Sequence, residues 1–135
     1  MTPALRTDAL GSTPDGFTVR LSLPWIRSLP LACLTRLTVE VDGRPVDPHV
    51  RLGPRDVPPA GLQDEPGWWF VQDRVVLHVG ETLSPGRHDV SVGFALTIPY
   101  LQGPPTAPLA LPFHDSRALE LDAAPARPTV SLDVA

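Results

Sequence analysis

The side chains best suited to acid–base or metal chemistry in this 135-residue chain are its four histidines. No two of them have the spacing of a metal-ligand pair. His114 precedes Asp115, and this pair fits either a loop exit or strand cap, or an acid–base or metal-binding role. His78 occupies a polar position of an alternating strand, which predicts a solvent-facing ring, and His88 follows a turn, which predicts a strand start. The fourth histidine is His49.

The other reactive residue types form no catalytic pattern that the sequence alone can identify. The carboxylates are dispersed, and there is no glycine-rich phosphate loop, nucleophile elbow or zinc-finger spacing. The single cysteine, Cys33, lies in the apolar stretch 31–34, which favours buried packing over a nucleophilic role. The sequence therefore offers no assembled active site.

Charge and composition exclude further classes of function. The formal net charge is −4, and all 11 basic residues are arginines that are scattered singly, so no basic surface for nucleic acid is expected. No apolar run reaches transmembrane length and no signal-peptide pattern is visible, so we expect a cytoplasmic protein. The 18 prolines accompany an ordinary apolar fraction of 42%, which indicates proline-rich loops in a globular domain.

Apolar and polar residues alternate along most of the chain, as they do in half-buried β-strands. Asp42-Gly43 and Ser84-Pro85-Gly86 predict tight turns between strands. No segment has convincing helical periodicity. We expect an all-β, antiparallel β-sandwich of about seven or eight strands over residues 15–135, preceded by a loose segment over residues 1–14. The predicted strands include residues 17–23, 37–41, 46–52, 75–79 and 90–98, with two closing strands at 119–121 and 130–134.

Three proline-containing loops, at residues 24–30, 53–67 and 99–114, interrupt this pattern. The first is apolar and carries Trp25 and Arg27, which are residue types enriched at interface hot spots, so we expect it to bind a partner protein. Trp68 and Trp69 follow the second loop. Successive strand side chains point to opposite faces, so one Trp is expected in the core and the other outside, against a subunit or a ring-shaped ligand.

Several segments together resemble the small β subunit of bacterial C-glycoside deglycosidases over roughly residues 15–135. The most specific are Leu23-Pro24-Trp25-x-Arg27-Ser28-Leu29-Pro30-Leu31-x-Cys33 and Trp68-Trp69-Phe70-Val71-x-Asp73. The others are Gly16-Phe17-x-Val19-Arg20-Leu21, Leu83-Ser84-Pro85-Gly86-x-His88-x-Val90 and Ile98-Pro99-Tyr100.

The resemblance implies a hetero-oligomer in which a larger α subunit, with a TIM-barrel fold, holds a divalent metal, typically Mn²⁺, and the catalytic base. The reaction it implies cleaves the carbon–carbon bond between the sugar and the flavonoid-type aglycone of a 3-oxo-C-glycoside. The ketone acidifies the C2 proton, the metal stabilises the enolate, and the aglycone leaves C1 by β-elimination. The present chain would carry no catalytic residue and no metal.

Within this scheme we expect a set of residues to contact the partner, namely Trp25, Arg27, Leu29, Trp68 and Trp69, and we expect Tyr100 near the substrate entrance. Tyr100 fits equally a core position at the end of its strand. A different class of function also fits the sequence, a stand-alone carbohydrate-binding or structural β-sandwich, because exposed aromatic rings can stack on sugars.

Overall fold

The computed structural model describes residues 3–102, 108–124 and 131–134, with the side chains of residues 100–102 and 108 left out of that description. These described residues form eleven strands and two short 3₁₀ helices, Leu31–Cys33 and Pro59–Asp64. The strands are β1 (Leu10–Thr13), β2 (Gly16–Ser22), β3 (Leu29–Pro30), β4 (Leu34–Val41), β5 (Arg44–Val46), β6 (His49–Leu52), β7 (Arg55–Val57), β8 (Trp68–Trp69), β9 (Arg74–Val79), β10 (Arg87–Gln102) and β11 (Pro108–Glu120).

The strands form three antiparallel sheets. A five-stranded sheet has the order β1-β2-β9-β6-β7, a four-stranded sheet has the order β11-β10-β4-β5, and β3 pairs with β8 alone. The alternating apolar residues of both larger sheets meet in one buried cluster. The prediction of an all-β antiparallel fold is thus confirmed, with more strand segments than expected, while its assignment as a sandwich stays a prediction.

The turn predicted at Asp42-Gly43 joins β4 to β5, and both residues have the positive φ angles, 53° and 78°, that this tight turn requires. The return strand was predicted over residues 46–52. It is divided between the two larger sheets, because β5 pairs with β4 whereas β6 pairs with β9.

The prediction of a loop over residues 99–114 is wrong for most of that range. β10 continues to Gln102, and β11 begins at Pro108, so the two strands form a long hairpin. Prolines fit here because β11 is an edge strand, and Pro112 lies opposite Ala95 while no described strand pairs with its other side. Pro99 falls at an irregularity in the register between Ile98 and Gln102. Residues 103–107 lie outside the described part of the chain.

Residues 3–14, for which the sequence predicts a loose segment, instead belong to the folded domain. Residues 10–13 form β1 on the edge of the five-stranded sheet, and Ala4, Leu5, Ala9 and Leu10 are buried. The backbone of this segment also pairs with β2, since Ser22 donates to the carbonyl of Ala4 and Arg20 to that of Ala9.

At the other terminus the predicted closing strand over 130–134 is reduced to an isolated parallel bridge between Asp133 and Arg74. Residue 130 lies outside the described part of the chain. Of the strand predicted at 119–121, residues 119 and 120 form the end of β11, and residue 121 lies in the turn that follows.

Candidate functional site

Two loops are tied together at one end of the domain. β3 pairs antiparallel with β8, with Leu29 opposite Trp69 and Pro30 opposite Trp68. The backbone N–H of Leu31 donates to the carbonyl of Gly67 at 3.0 Å. The N–H of Val71 donates to Oγ of Ser28 at 2.8 Å. Residues 24–30 and 67–73 therefore form one connected surface element, which we call the apolar end.

Gly67 lies close to the opposite loop. A Cβ at this position would lie 3.1 Å from Cδ1 of Leu31, a fully buried side chain that would have to shift by a few tenths of an ångström. The lack of a side chain at Gly67 thus favours the close approach of the two loops.

The apolar end carries most of the large apolar side chains that the described residues expose. Ile26 is 79% exposed, Trp68 49%, Phe70 50% and Val71 45%. Leu132, at 70%, is the fifth such side chain in the described part of the chain. Monomeric soluble proteins seldom expose contiguous apolar patches, and such patches commonly mark interaction sites.

The two adjacent tryptophans point in opposite directions, as the strand period predicts. Trp69 is 1% exposed, whereas Trp68 is half-exposed. The Trp69 ring lies 6.4 Å from Phe94, and its Nε1–H donates to the carbonyl of Asp73 at 3.0 Å. Phe94 in turn stacks on Phe113 at 5.8 Å. The buried Trp therefore anchors the exposed one to the main core.

The residues predicted to contact a partner do not all reach the surface. Arg27 is exposed and Trp25 is partly buried against the core. Leu29 and Trp69 are each 1% exposed and fully enclosed by their own chain, so they support the surface and do not form it. A partner contact of Trp25, Arg27 and Trp68 stays a prediction.

Tyr100 lies on the β10 backbone at this same end of the domain. Leu96 of β10 pairs with Leu34, the first residue of β4. β10 then continues to Gln102 beside the 3₁₀ helix that follows β3. The Tyr100 side chain lies outside the described part of the structure, so both of its predicted roles remain open.

The structure adds Ile26, Phe70, Val71 and Leu132 to the candidate site. Sequence reasoning identified the loop that contains Ile26 and the segment that contains Phe70, but not which side chains face water. The signal was present in part, because Ile26 lies between Trp25 and Arg27. Nothing in the sequence indicated the exposure of Leu132, because a strand over residues 130–134 predicts alternating burial.

His78 is buried, which corrects the prediction of a solvent-facing ring. It is 7% exposed because its strand, β9, lies in the middle of the five-stranded sheet and charged side chains cover the outer face. Its Nε2 is 3.2 Å from Oδ1 of Asp15, and its Nδ1 is 3.4 Å from Oδ2 of Asp56. Nε and Nη2 of Arg51 donate to the two carboxylate oxygens of Asp56, and these hydrogen bonds lower the pKa of the Asp56 carboxyl.

His49 lies directly opposite His78, and it completes a polar cluster beside a cavity of about 490 Å³. Asp47, Asp56 and Glu81 line the same cavity. Among the described residues, no group of three or more His, Cys, Asp or Glu side chains is placed to hold a metal ion.

The other reactive side chains identified in the sequence are His88, His114 and Cys33. His88 lies at the start of β10, as predicted, and it is buried between Asp42 and the carbonyl of Ser84. His114 is exposed in the middle of β11, so the expectation of a loop exit or strand cap is wrong. Cys33 is buried and free, and desolvation raises the pKa of its thiol, which disfavours the thiolate needed for nucleophilic attack.

None of the helices in the described residues has the length and apolar character of a membrane span.

Two known proteins are similar to this chain over most of its length. The 3'-dehydrocarminate deglycosidase beta subunit of a Microbacterium species is 32% identical over 121 residues, covering 84% of this chain and 89% of that protein. The C-glycoside deglycosidase beta subunit of Arthrobacter globiformis is 34% identical over 96 residues, covering 66% of this chain and 73% of that protein. No protein-family model matches the chain.

Proposed function

This chain belongs to the family of C-glycoside deglycosidase β subunits, and we propose that it serves as the non-catalytic subunit of such an enzyme. The proposed complex cleaves the carbon–carbon bond of 3-oxo-C-glycosides by β-elimination. The companion is a TIM-barrel α subunit that supplies the catalytic base. The chain's own task is to bind this companion and to shape the entrance to its active site.

The apolar end is the observation that carries this proposal. It presents Ile26, Trp68, Phe70 and Val71 to water on a frame fixed by paired backbone and by proline. An ordered surface loses less conformational entropy on association than a flexible one, so a stiff apolar surface is suited to a stable subunit contact. The exposed Trp68 is of a residue type that is enriched at interface hot spots.

Among the described residues, no three carboxylate, imidazole or thiol groups are placed to hold a metal ion. We assign the proposed divalent metal, Mn²⁺, to the companion subunit, where it would stabilise negative charge on the substrate. This chain contributes by excluding water from the companion's active-site mouth, where a drier site strengthens electrostatic contacts.

A stand-alone carbohydrate-binding module is the alternative, and the half-exposed Trp68 ring is the observation that favours it. Two of the exposed side chains in the same apolar end, Ile26 and Val71, are aliphatic and provide neither a flat ring nor a hydrogen-bonding group for a sugar. The exposed Phe70 ring does not discriminate between the two functions, since an aromatic ring suits a sugar as well as a protein partner.

Reconstitution tests the proposal. The purified chain, a candidate TIM-barrel companion subunit, and an equimolar mixture are each supplied with Mn²⁺ and a 3-oxo-C-glycoside, and aglycone release is followed. We expect release from the mixture at a rate far above that of either protein alone. Release by this chain alone would show that it is catalytic, and an unchanged rate on mixing would show that it is not a subunit of this enzyme. Calorimetric binding of free sugar by the isolated chain would favour the carbohydrate-binding alternative.

A further inference from the structure

His78 links outer parts of the five-stranded sheet to its middle strand. It lies on β9, and its ring is 7% exposed on the face turned away from the core, since the neighbouring Leu77 and Val79 belong to the core. Nε2 lies 3.2 Å from Oδ1 of Asp15, in the turn between β1 and β2. Nδ1 lies 3.4 Å from Oδ2 of Asp56, on the edge strand β7. One buried ring therefore contacts carboxylates from two separate parts of the sheet.

The two carboxylates beside the ring keep their charge in neutral and mildly acidic solution. Oγ1 of Thr13 donates to Asp15, and this hydrogen bond is the main reason that the pKa of Asp15 is lowered. The hydrogen bonds from Arg51 are the main reason that the pKa of Asp56 is lowered. Since both pKa values lie below the ordinary 3.8, His78 is the member of this group whose charge can change between about pH 5 and pH 8.

A single guanidinium serves both carboxylates. Nε and Nη2 of Arg51 bond Asp56, and Nη2 also lies 3.7 Å from Oδ2 of Asp15. A carboxylate only accepts hydrogen bonds, and a neutral imidazole has one N–H, so the neutral His78 ring can donate to one carboxylate only. The imidazolium carries an N–H on each nitrogen and a positive charge for the second carboxylate. Both carboxylate contacts of His78 are therefore attractive together only when the ring is charged.

The elements packed around His78 carry other charged or titratable side chains. They come from β2, from β6 and from the connections beside β6 and β9, and they are Arg20, Asp47, His49 and Glu81. Arg20 is paired with Asp133, and Glu81 with Arg44. His49 lies directly opposite His78 and is of the same titratable type, but it forms no ion pair with a described residue. His49 therefore provides a matched control for His78.

We propose that His78 is a pH-sensitive switch: its charged ring holds the β1–β2 turn and the edge strand β7 against the middle of the sheet, and its neutral ring releases one of them. The turn is the part that we expect to be released, because Asp56 keeps its two hydrogen bonds from Arg51. Across the sheet Asp15 keeps only the 3.7 Å contact with Arg51, and its side chain is 65% exposed. The switch requires no companion subunit, so the isolated full-length chain is sufficient to test it.

The first test is urea unfolding of the wild type, His78→Gln and the control His49→Gln at about pH 5.5 and at about pH 8. The stability that the charged ring contributes is present at the lower pH and is lost as the pH rises. We expect His78→Gln to raise the unfolding equilibrium constant relative to wild type by a factor about threefold larger at the lower pH than at the higher one. We expect His49→Gln to change this constant by the same factor at both pH values. His88 is present in all three proteins, so its own titration cancels in these ratios.

The second test follows carboxyl and imidazole carbon signals by nuclear magnetic resonance across the same pH range. In the wild type, the carboxyl signals of Asp15 and Asp56 should shift with the same midpoint as the His78 ring. These shifts should be lost in His78→Gln and retained in His49→Gln. This measurement separates the switch from a role of the ring in packing alone, because packing does not couple the two carboxyl signals to a titration.

The switch would be overturned by a ratio of unfolding constants for His78→Gln that is equal at the two pH values. A His78 ring whose charge does not change between about pH 5 and pH 8 would overturn it as well. If His78→Gln fails to fold, Asp15→Asn in the exposed turn replaces it. Asp15→Asn should lose less stability than the wild type between the two pH values, and an equal loss would contradict the proposal.

Discussion

Nδ1 of His88 lies 2.7 Å from Oδ2 of Asp42, and this contact joins the turn between β4 and β5 to the first residues of β10. The other ring nitrogen, Nε2, lies 2.7 Å from the carbonyl oxygen of Ser84. A carboxylate and a carbonyl can only accept, so the two contacts are both satisfied when each ring nitrogen carries a proton. The hydrogen bond to Asp42 is the main reason that the pKa of His88 is raised, and it lowers the pKa of Asp42 in turn.

The stability of the chain should therefore depend on the protonation of His88. Because the pKa of His88 is higher in the folded state than its ordinary value of 6.5, its contribution is fully present below pH 6.5 and is lost as the pH rises through the raised pKa. The lowered pKa of Asp42 adds a contribution that is lost only in acid. We expect the Tm to decline from pH 6.5 upward, measured by calorimetry, and to decline less in His88→Gln. Parallel Tm profiles for the two proteins would show that the contact does not require the charged ring.

The adjacent tryptophans should respond in opposite ways to the same substitution. Trp69→Ala leaves a cavity in the core and should lower the free energy of unfolding by about 3–5 kcal/mol. Trp68→Ala removes an exposed ring and should change it by no more than about 0.5 kcal/mol, while weakening companion binding. Urea titration and a binding isotherm on both variants measure the two effects. Equal companion affinity for Trp68→Ala and wild type would remove Trp68 from the interface.

Substitutions at Trp25 and Arg27 test whether the first proline-containing loop, residues 24–30, contacts the companion. Truncation of an interface Trp commonly costs about 2–4 kcal/mol of binding, so Trp25→Ala should weaken assembly by roughly thirtyfold or more. Since Trp25 also packs on the core, its Tm has to be measured alongside the Kd. Arg27→Lys keeps the charge but loses the planar guanidinium, which would weaken a bidentate contact to a companion carboxylate. Normal assembly of both folded variants would assign the loop a purely structural role.

Kinetic measurements on Tyr100 variants distinguish a role at the substrate entrance from a role in the core. If its ring lies at the substrate entrance, Tyr100→Phe should lower kcat/KM of the assembled enzyme at an unchanged Tm. If the ring closes the end of its strand in the core, the same change should lower the Tm and leave kcat/KM of the surviving complex unchanged. A stable Tyr100→Ala complex with wild-type kcat/KM would exclude the entrance role.

The sequence predicts the strands where local pattern and tertiary context agree. The alternation over 90–98 marks the inner part of β10, and Asp42-Gly43 marks a turn whose geometry depends only on its own residues. His78 and residues 99–114 were mispredicted because their environment is set by other strands. The burial of His78 depends on Asp15 and Asp56 above it. Pro112 is tolerated because β11 is an edge strand, and Pro99 because it falls at a register irregularity of β10.

The candidate site, too, could be predicted from the sequence only where the local pattern decides the outcome. The opposition of Trp68 and Trp69 is a property of any strand, so it could be predicted. Which of the two faces water is decided by β3 and by Phe94, which lie far away in sequence. Leu132 could not be singled out at all, because its exposure depends on where β9 begins.

Pro112 has a consequence for self-association along the sheet. It stands in the middle of β11, the outermost strand of its sheet, and it lacks an N–H. A strand from a second molecule would find no donor there, so the edge is a poor template for sheet extension from one copy to the next. Growth into fibres by edge-to-edge pairing is thereby disfavoured on this side.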